Sequence, residues 1–253
     1  MKKNKKIYFA SDAHLGLPNH EKSLVREKIL VQWLNEIRED AEEIYLLGDI
    51  FDFWFEYKRA VPRGYTRFLG TISDIVDKGT PVHFFTGNHD IWVFDYLPKE
   101  TGMIIHKNPI TKVFNEKKFY LAHGDGLGPY DFGYKILNKI FTNKPLQWLF
   151  ARIHPNFAIR LANIWSQSSR YAKGLVAEDY RGDDKEYLYI HAKNVLKKEH
   201  FDYFIFGHRH IPIIRNLPDN AKFVNLGDWL TNFTYATFDG EELLLLKYNT
   251  RNR

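Results

Sequence analysis

Short apolar runs along the chain alternate with longer segments in which apolar residues recur every three or four positions. The runs have the length and composition of buried strands and lie at 7–10, 44–47, 82–86, 201–206 and 223–226. The recurring segments have the spacing of helices packed by one face and lie at 25–37, 68–76 and 187–198. Apolar stretches at 113–122 and 235–248, each split by a turn, predict two hairpins. The pattern predicts an α/β fold with two sheets packed face to face.

Composition narrows the class of protein. The chain has 253 residues, 44% hydrophobic and 26% charged, which is typical of a soluble globular protein. It has no cysteine, which excludes disulfides, thiolate zinc sites and cysteine nucleophiles. No segment approaches the roughly 20 apolar residues of a membrane span, and the apolar stretch after the basic start is too short for a signal peptide. We therefore expect a cytoplasmic protein.

Five of the predicted strands are followed immediately by residues of the types that bind metals. The motifs are Ser11-Asp12-Ala13-His14, Gly48-Asp49, Gly87-Asn88-His89-Asp90, His123-Gly124-Asp125 and Gly207-His208-Arg209-His210. Any one of them alone is more often an ordinary turn, but five at the carboxyl ends of strands indicate one ligand site. Two Asp, one Asn and four His suffice for two divalent cations, which activate water and neutralise a phosphoryl group. The other histidines are interpreted as structural: His20, His83, His106, His154, His191 and His200.

The order of these motifs, D-x-H, GD, GNH, H and GH-x-H, resembles that of the calcineurin-like metallophosphoesterases. The resemblance implies an α/β fold, a four-layer β-sandwich flanked by helices, and two divalent cations, with Mn²⁺ favoured. It implies one cation on Asp12, His14, Asp49 and His210, and another on Asp49, Asn88, His123 and His208, bridged by Asp49. It further implies catalytic roles for Asp12, Asn88 and His89. His89 would protonate the leaving group or bind a phosphoryl oxygen, oriented by Asp12 or Asp90; a structural turn histidine is the alternative.

The segment 131–173 has no strand pattern and lies between the fourth motif and the last. Its apolar residues predict three helices broken at Pro145 and Pro155, with more large apolar side chains than packing on one core requires. From 132 to 177 there are seven basic residues and no acidic one. Such a segment suits an anionic, apolar ligand or an anionic membrane surface, although burial against the main domain is the alternative. We therefore predict a metallophosphoesterase core, 1–130 and 174–253, and an inserted helical cap, 131–173.

Within the family, the chain resembles the branch that cleaves the diphosphate of UDP-2,3-diacylglucosamine in lipid A biosynthesis, giving UMP and the 2,3-diacylglucosamine 1-phosphate. The similar stretches are 123–127, 146–150, 169–170 and 207–212. The resemblance implies a lipid-binding cap, an acylated UDP-sugar substrate and peripheral attachment to the inner face of the inner membrane. It implies substrate contacts from Asn88, His89, Asp131, Tyr134, Ser169, Arg170, Lys173 and His208. The best-known members of this branch have Arg where this chain has His89.

Other interpretations stay open. The chain could act on another nucleotide diphosphate or phosphodiester, and His89 keeps that alternative open. It could also be a catalytically inactive scaffold, but such proteins usually lack metal ligands and all seven are present here. The aromatic residues of the basic segment would allow stacking on nucleic-acid bases, yet its apolar character fits lipid better. We therefore expect no nucleic-acid partner and no obligate protein partner.

Overall fold

A computed structural model describes residues 1–2, 4–129, 132–161 and 179–250 of the chain. The strands are β1 (Lys6–Ala10), β2 (Ala41–Leu46), β3 (Val82–Phe85), β4 (Ile104–His106), β5 (Ile110–Phe114), β6 (Lys117–Ala122), β7 (Tyr203–Phe206), β8 (Ile213–Asn216), β9 (Lys222–Asn225), β10 (Thr234–Phe238) and β11 (Leu243–Lys247). The helices are α1 (His20–Ile37), α2 (Thr66–Asp77), α3 (Tyr96–Thr101), α4 (Phe132–Thr142), α5 (Lys144–Phe150), α6 (155–161 within the described residues) and α7 (Tyr187–Leu196).

The strands form two sheets with parallel centres. The first has the order β11-β10-β1-β2-β3-β4, in which β1 to β4 are parallel and β10 is antiparallel to both β1 and β11. The second has the order β5-β6-β7-β9-β8, in which β6, β7 and β9 are parallel and the two edge strands are antiparallel. Both β3 and β7 are buried at every position; β7 is an unbroken apolar run, and β3 is interrupted only by His83, whose ring contacts Glu43 and His106.

Four layers result from the alternation of side chains along these strands. Ile7 and Phe9 of β1 face the second sheet, where they pack against Phe119 and residues of β7 and β9. Tyr8 points the other way, into a core shared with α1, α2 and α3. The outer face of the second sheet packs against α7. The order helix, sheet, sheet, helix confirms the predicted sandwich.

Three short elements were not predicted from the sequence. Helix α3 contains Pro98, and proline usually predicts the end of a helix. Here it lies in the first turn, where a backbone N–H would have no partner within the helix, so its absence loses no hydrogen bond. Strands β4 and β8 have three and four residues, and neither is fully buried at any position. A neighbouring strand supplies the backbone hydrogen bonds of β4 and β8, so the local periodicity of their sequences does not predict them.

The described part of the insert is helical, as the apolar spacing predicts. Phe141 and Phe150 pack against Trp92 of the core, with ring centroids 5.2 and 5.0 Å apart, and the Trp92 Nε1–H donates to the Phe141 carbonyl at 2.8 Å. In contrast, Trp148 is 60% exposed and Phe157 is 61% exposed. Of the predicted substrate contacts, Asp131, Ser169, Arg170 and Lys173 lie outside the described residues. Across the described ranges, no helix is both long and apolar enough to cross a membrane.

Candidate metal centre

The five motifs meet because the strands that precede them end at one edge of the sandwich. Strands β1, β2 and β3 run parallel in one sheet, and β6 and β7 run parallel in the other. Their carboxyl ends therefore place the following loops side by side. His14 Nε2 lies 3.3 Å from His210 Nε2, although the two residues are 196 positions apart in the chain. The fold thus brings the first motif against the last.

A first cluster contains Asp12, His14 and His210, whose ligand atoms all lie within 4.8 Å of one another. His210 Nε2 is 3.2 Å from Asp12 Oδ1, and His14 Nε2 is 3.8 Å from the same oxygen. Asp12 and His14 are 0% and 1% exposed. The cluster thus contains one carboxylate and two imidazoles, of which Asp12 and His14 are buried and His210 is partly exposed.

A second cluster contains Asp49, His123 and His208. His123 Nε2 is 3.4 Å from Asp49 Oδ2 and 3.2 Å from His208 Nδ1. The Nδ1–H of His123 donates to the Leu47 carbonyl at 2.7 Å, which leaves Nε2 as the atom available to a cation. The Asp49 oxygen that faces His123 is also 3.9 Å from His14 Nε2, so Asp49 lies between the two clusters.

His89 borders both clusters, and Asn88 precedes it in the loop after β3. His89 joins His14 and Asp49 in a third group of ligand atoms within 4.8 Å, and its ring lies edge-on to His14 with centroids 4.9 Å apart. The His89 backbone N–H donates to Asp49 Oδ1 at 2.8 Å. Asn88 Oδ1 is buried and accepts no hydrogen bond from any residue that the structure describes. The structure thus brings together seven of the eight residues predicted to bind metal or to act in catalysis, and Asn88 precedes His89 in the same loop.

Five ligand positions adopt a backbone conformation that non-glycine residues rarely take. They are Asp12, His14, Asp49, His208 and His210, with φ values of 56°, 43°, 52°, 68° and 56°. Each such residue costs of the order of 1–3 kcal/mol and persists only where its surroundings impose it. The concentration of this strain in the motifs indicates that the side chains are held for function rather than for stability.

The glycines of the motifs permit the close approach of the loops. A Cβ on Gly87 would lie 2.2 Å from Asp49 Oδ1, and a Cβ on Gly207 would lie 2.5 Å from Asp12 Oδ2. Neither carboxylate has room to move, because both are buried. The Gly-Asn-His and Gly-His-x-His patterns therefore need glycine as a space requirement of the assembled site.

Asp90 joins two of the ligand loops, and it does not orient His89. Its carboxylate is 0% exposed and accepts backbone N–H groups of Gly87 at 2.7 Å and Ile50 at 2.9 Å, with longer bonds from Asp49 and Phe51. His89 is held instead by Asp52, since its Nδ1 is 2.9 Å from the Asp52 carbonyl and 3.6 Å from Asp52 Oδ1. The prediction that Asp12 or Asp90 orients His89 is therefore wrong.

Two carboxylates near the clusters were missed by the sequence analysis. Asp52 Oδ1 lies 3.3 Å from His14 Nδ1, and Asp228 Oδ2 lies 3.7 Å from His210 Nδ1, so each faces the ring nitrogen opposite the cluster. Carboxylates in this position fix the tautomer of ligand histidines. Asp228 could have been found, because Gly227-Asp228 follows β9 as Gly48-Asp49 follows β2. Asp52 has no such signal.

Electrostatics favour ionised carboxylates in both clusters. Burial opposes ionisation of Asp12, but the facing His210 keeps its pKa at about 2. Burial is likewise overcome at Asp49, where His123 and His89 hold the pKa well below its usual range. Burial lowers the pKa of His208 to about 3, which keeps this imidazole neutral, as a metal ligand must be. The centre therefore offers two carboxylates and at least one neutral imidazole to a cation.

The residues present fit divalent cations. Asn88 Oδ1 is buried and makes no hydrogen bond within the described part of the chain. Buried oxygens without partners are costly unless a cation or other group satisfies them. Carboxylate, amide and imidazole ligands in the absence of thiolates suit Mn²⁺, Fe²⁺, Co²⁺ or Zn²⁺.

Tyr134, a predicted substrate contact, lies at the side of the second cluster. A Cβ on Gly126 would be 3.3 Å from its ring. Burial raises the pKa of the nearby Asp125, and His123 and the Tyr134 hydroxyl oppose that rise. Tyr134 thus borders the loop that carries His123, and it is half-buried.

The chain belongs to the calcineurin-like phosphoesterase family, whose model matches residues 5–212. The match includes all five motifs. Among curated proteins, the chain is 40% identical to a UDP-2,3-diacylglucosamine hydrolase of Porphyromonas gingivalis, over 95% of this chain and 96% of the relative. It is 29% identical to the enzyme of that name from Vibrio atlanticus, over 98% of this chain and 99% of the relative. A third protein of that name, from Histophilus somni, is 27% identical to this chain, over 89% of this chain and 92% of the relative.

Proposed function

We propose that the chain hydrolyses the diphosphate of UDP-2,3-diacylglucosamine at the α-phosphorus, giving UMP and 2,3-diacylglucosamine 1-phosphate for lipid A biosynthesis. The observation that carries this proposal is 40% identity to a UDP-2,3-diacylglucosamine hydrolase over nearly the full length of both chains. That length includes the basic, apolar insert, which a substrate with two acyl chains and a diphosphate would need. The clusters of Asp and His ligand atoms support a metal-dependent hydrolysis.

The proposal assigns two divalent cations, Mn²⁺ for preference, to the two clusters. Asp12, His14 and His210 would hold one and Asn88, His123 and His208 the other, with Asp49 between them. Asp49 is supported in this role by its position, because its Oδ2 is 3.4 Å from His123 Nε2 and 3.9 Å from His14 Nε2. When bound, such a pair of cations lowers the pKa of water and neutralises phosphoryl charge.

His89 would act on the phosphoryl group. A carbonyl oxygen can only accept, so the 2.9 Å contact with the Asp52 carbonyl assigns the Nδ1–H of His89 as donor. With Nδ1 engaged in this way, Nε2 is the ring atom left to contact an oxygen on the α-phosphorus, and it would donate to that oxygen in the imidazolium form. Water forms the new P–O bond as the bond to the bridging oxygen breaks. Because the leaving group is a phosphate monoester that departs as an anion, we assign His89 chiefly to charge stabilisation.

The insert would be a cap over the lipid end of the substrate and a contact with the membrane. Its exposed apolar side chains, such as Trp148 and Phe157, support this role, as do Lys139, Lys144 and Arg152 on the same segment. Phe150 is a weaker candidate, because it packs on Phe55 and Trp92. We place the chain in the cytoplasm, peripheral on the inner face of the inner membrane.

The proposal is tested by turnover with Mn²⁺ on UDP-2,3-diacylglucosamine, beside the same sugar nucleotide without its O-linked acyl chain. We expect strong preference for the diacyl compound and release of UMP. Equal turnover of both compounds would contradict a role of the cap in acyl recognition. Absence of turnover on either would assign the centre to another phosphodiester or nucleotide diphosphate.

The metal ligands are tested by Asp49→Ala. We expect turnover to fall by several orders of magnitude and the bound Mn²⁺, measured by elemental analysis, to fall below two per chain, with the fold retained by circular dichroism. The matched control is Asp77→Ala, which removes an exposed carboxylate at the end of α2. Near-normal activity of Asp49→Ala would contradict the assignment.

A further inference from the structure

Arg209 lies between two of the candidate metal ligands, in the loop after β7. His208 belongs to the second cluster and His210 to the first, so this one loop supplies an imidazole to each cluster. The guanidinium of an arginine is always charged and has no acceptor, so Arg209 cannot itself bind a cation. Whatever fixes the path of this loop also fixes where both imidazoles lie.

The backbone of this loop is strained. The Arg209 N–H donates to the Gly207 carbonyl at 2.8 Å, which closes a three-residue turn with His208 at its centre. His208 has a φ of 68°, the sign found in the rare and strained form of this turn, and His210 has a φ of 56°. Such conformations persist only where their surroundings impose them. The backbone of the loop forms hydrogen bonds with three side chains of the core: Asp12, Asn225 and Asn232.

The side chain of Arg209 forms a further contact, with Glu186 immediately before α7. Its Nε lies 2.9 Å from Glu186 Oε1, and one of its terminal nitrogens lies 3.3 Å from Glu186 Oε2. The guanidinium thus meets the carboxylate with two hydrogen bonds, which fix its direction as well as its distance. The Arg209 side chain is 10% exposed and that of Glu186 is 2% exposed, so salt screens the pair only weakly.

The same end of α7 also packs on the loop after β6, which begins with His123. A Cβ on Gly128 would lie 2.4 Å from the ring of Tyr187. A Cβ on Gly124 would lie 3.0 Å from Leu188 Cδ1. The start of α7 therefore contacts both loops that supply imidazoles to the second cluster, the one after β6 and the one after β7.

We propose that Arg209 is a positioning residue of the metal centre and acts through its ion pair with Glu186. The pair joins the strained turn to the start of α7, which itself packs on the loop after β6. His208 is thereby held towards the second cluster and His210 towards the first, so the loop is already ordered when cations bind. Ordering in advance strengthens binding, because less conformational freedom is lost. This inference rests on the proposed function, since it requires cations at the two clusters.

The test is calorimetric titration of the chelator-treated full chain with Mn²⁺, at a temperature where each variant is folded by circular dichroism. Arg209→Met should weaken Mn²⁺ binding about 10–100-fold, the usual effect of removing a contact that orients metal ligands. Arg209→Lys keeps the charge but loses the two-pronged geometry, so it should bind Mn²⁺ more tightly than Arg209→Met and less tightly than the wild-type chain. A pair that only stabilised the fold would lower Tm and leave the Mn²⁺ affinity of the folded chain unchanged.

Glu186→Gln tests the same pair from its other side. It should also weaken Mn²⁺ binding, and it carries the test if Arg209→Met does not fold. The double variant Arg209→Met/Glu186→Gln should bind Mn²⁺ no more weakly than Arg209→Met, because both changes remove one interaction. Losses that add in the double variant would show that the two side chains act separately and would overturn the inference.

The matched control is Arg38→Met, which removes an arginine–carboxylate pair with Asp74, 2.7 Å long, between the end of α1 and α2. It should keep the wild-type Mn²⁺ affinity. Wild-type affinity in both Arg209→Met and Glu186→Gln, or an equal loss in Arg38→Met, would overturn the inference. Turnover of the diacyl substrate is measured separately. Turnover by the wild-type chain with unchanged Mn²⁺ affinity in the variants removes only this inference, whereas weakened Mn²⁺ binding in the variants of a chain without turnover removes only the proposed lipid substrate.

Discussion

Asp90 offers the sharpest test of how the ligand loops are held. Its carboxylate is fully buried and accepts the N–H groups of Gly87 and Ile50 at 2.7 and 2.9 Å, with two longer bonds at 3.3 Å. These bonds join the loop after β2 to the loop after β3. Asp90→Ala would leave the donors buried and without an acceptor, and it would separate the loops that carry Asp49 and Asn88.

The expected cost follows from the two short bonds. A hydrogen bond to a charged group contributes about 1.5–3 kcal/mol, which gives about 3–6 kcal/mol for the pair. Burial and the Asp49 charge raise the pKa of Asp90 to about 7, which offsets part of this gain. We therefore expect a loss of about 3 kcal/mol, corresponding to a fall in Tm of about 6–12 °C for a chain of this size.

The assay is thermal and urea unfolding of chelator-treated protein, because bound cations would add their own stabilisation. Turnover with Mn²⁺ is measured in parallel and should fall at least 100-fold, since the loop positions set the ligand geometry. Asp77→Ala is the control and should match the wild-type chain in both assays. An Asp90→Ala variant within 1 kcal/mol of wild-type stability would refute the reasoning.

Three further predictions concern the centre and the cap. Gly87→Ala should lose turnover and bound Mn²⁺, because its Cβ would lie 2.2 Å from Asp49 Oδ1. The control Gly70→Ala has open space within α2, so it should keep activity and gain up to about 1 kcal/mol of stability. Equal activities of the two variants would contradict the argument that position 87 has no room for a Cβ. Treatment with EDTA should abolish turnover and added Mn²⁺ should restore it, and full activity after exhaustive chelation would exclude a metal mechanism. Trp148→Ala should raise KM for the diacyl substrate several-fold but leave KM for the substrate lacking the O-linked chain unchanged, and a parallel rise in both would count against a lipid contact.

The fold class could be predicted because it depends on the local pattern of apolar and polar residues in each segment. A parallel strand covered on both faces is typically a near-continuous apolar run, as β7 is. A helix packed by one face must repeat its apolar residues every three or four positions, as α2 does. The short elements α3, β4 and β8 were not predicted, because their formation depends on neighbouring segments more than on their own sequence.

The ligand residues could be predicted because few residue types bind hard and borderline cations, and the motifs follow strands directly. The contacts that ligand residues and nearby histidines make with their neighbours could not be predicted. His89 faces Asp52 rather than Asp90, and His106 belongs to a chain with His83 and Glu43 although it carries no motif. These contacts join residues that are 23 to 40 positions apart, and the sequence contains no signal for them.

The sequence by itself determined the layers of the fold, the five ligand motifs and the basic, apolar character of the insert. Composition and periodicity are properties of each segment alone, so they survive without knowledge of its neighbours. Only the tertiary structure decided which carboxylate faces which histidine, and that Asp90 joins the loops after β2 and β3. Those features depend on the register between strands and on how the two sheets are stacked, and both are set by packing between segments distant in sequence.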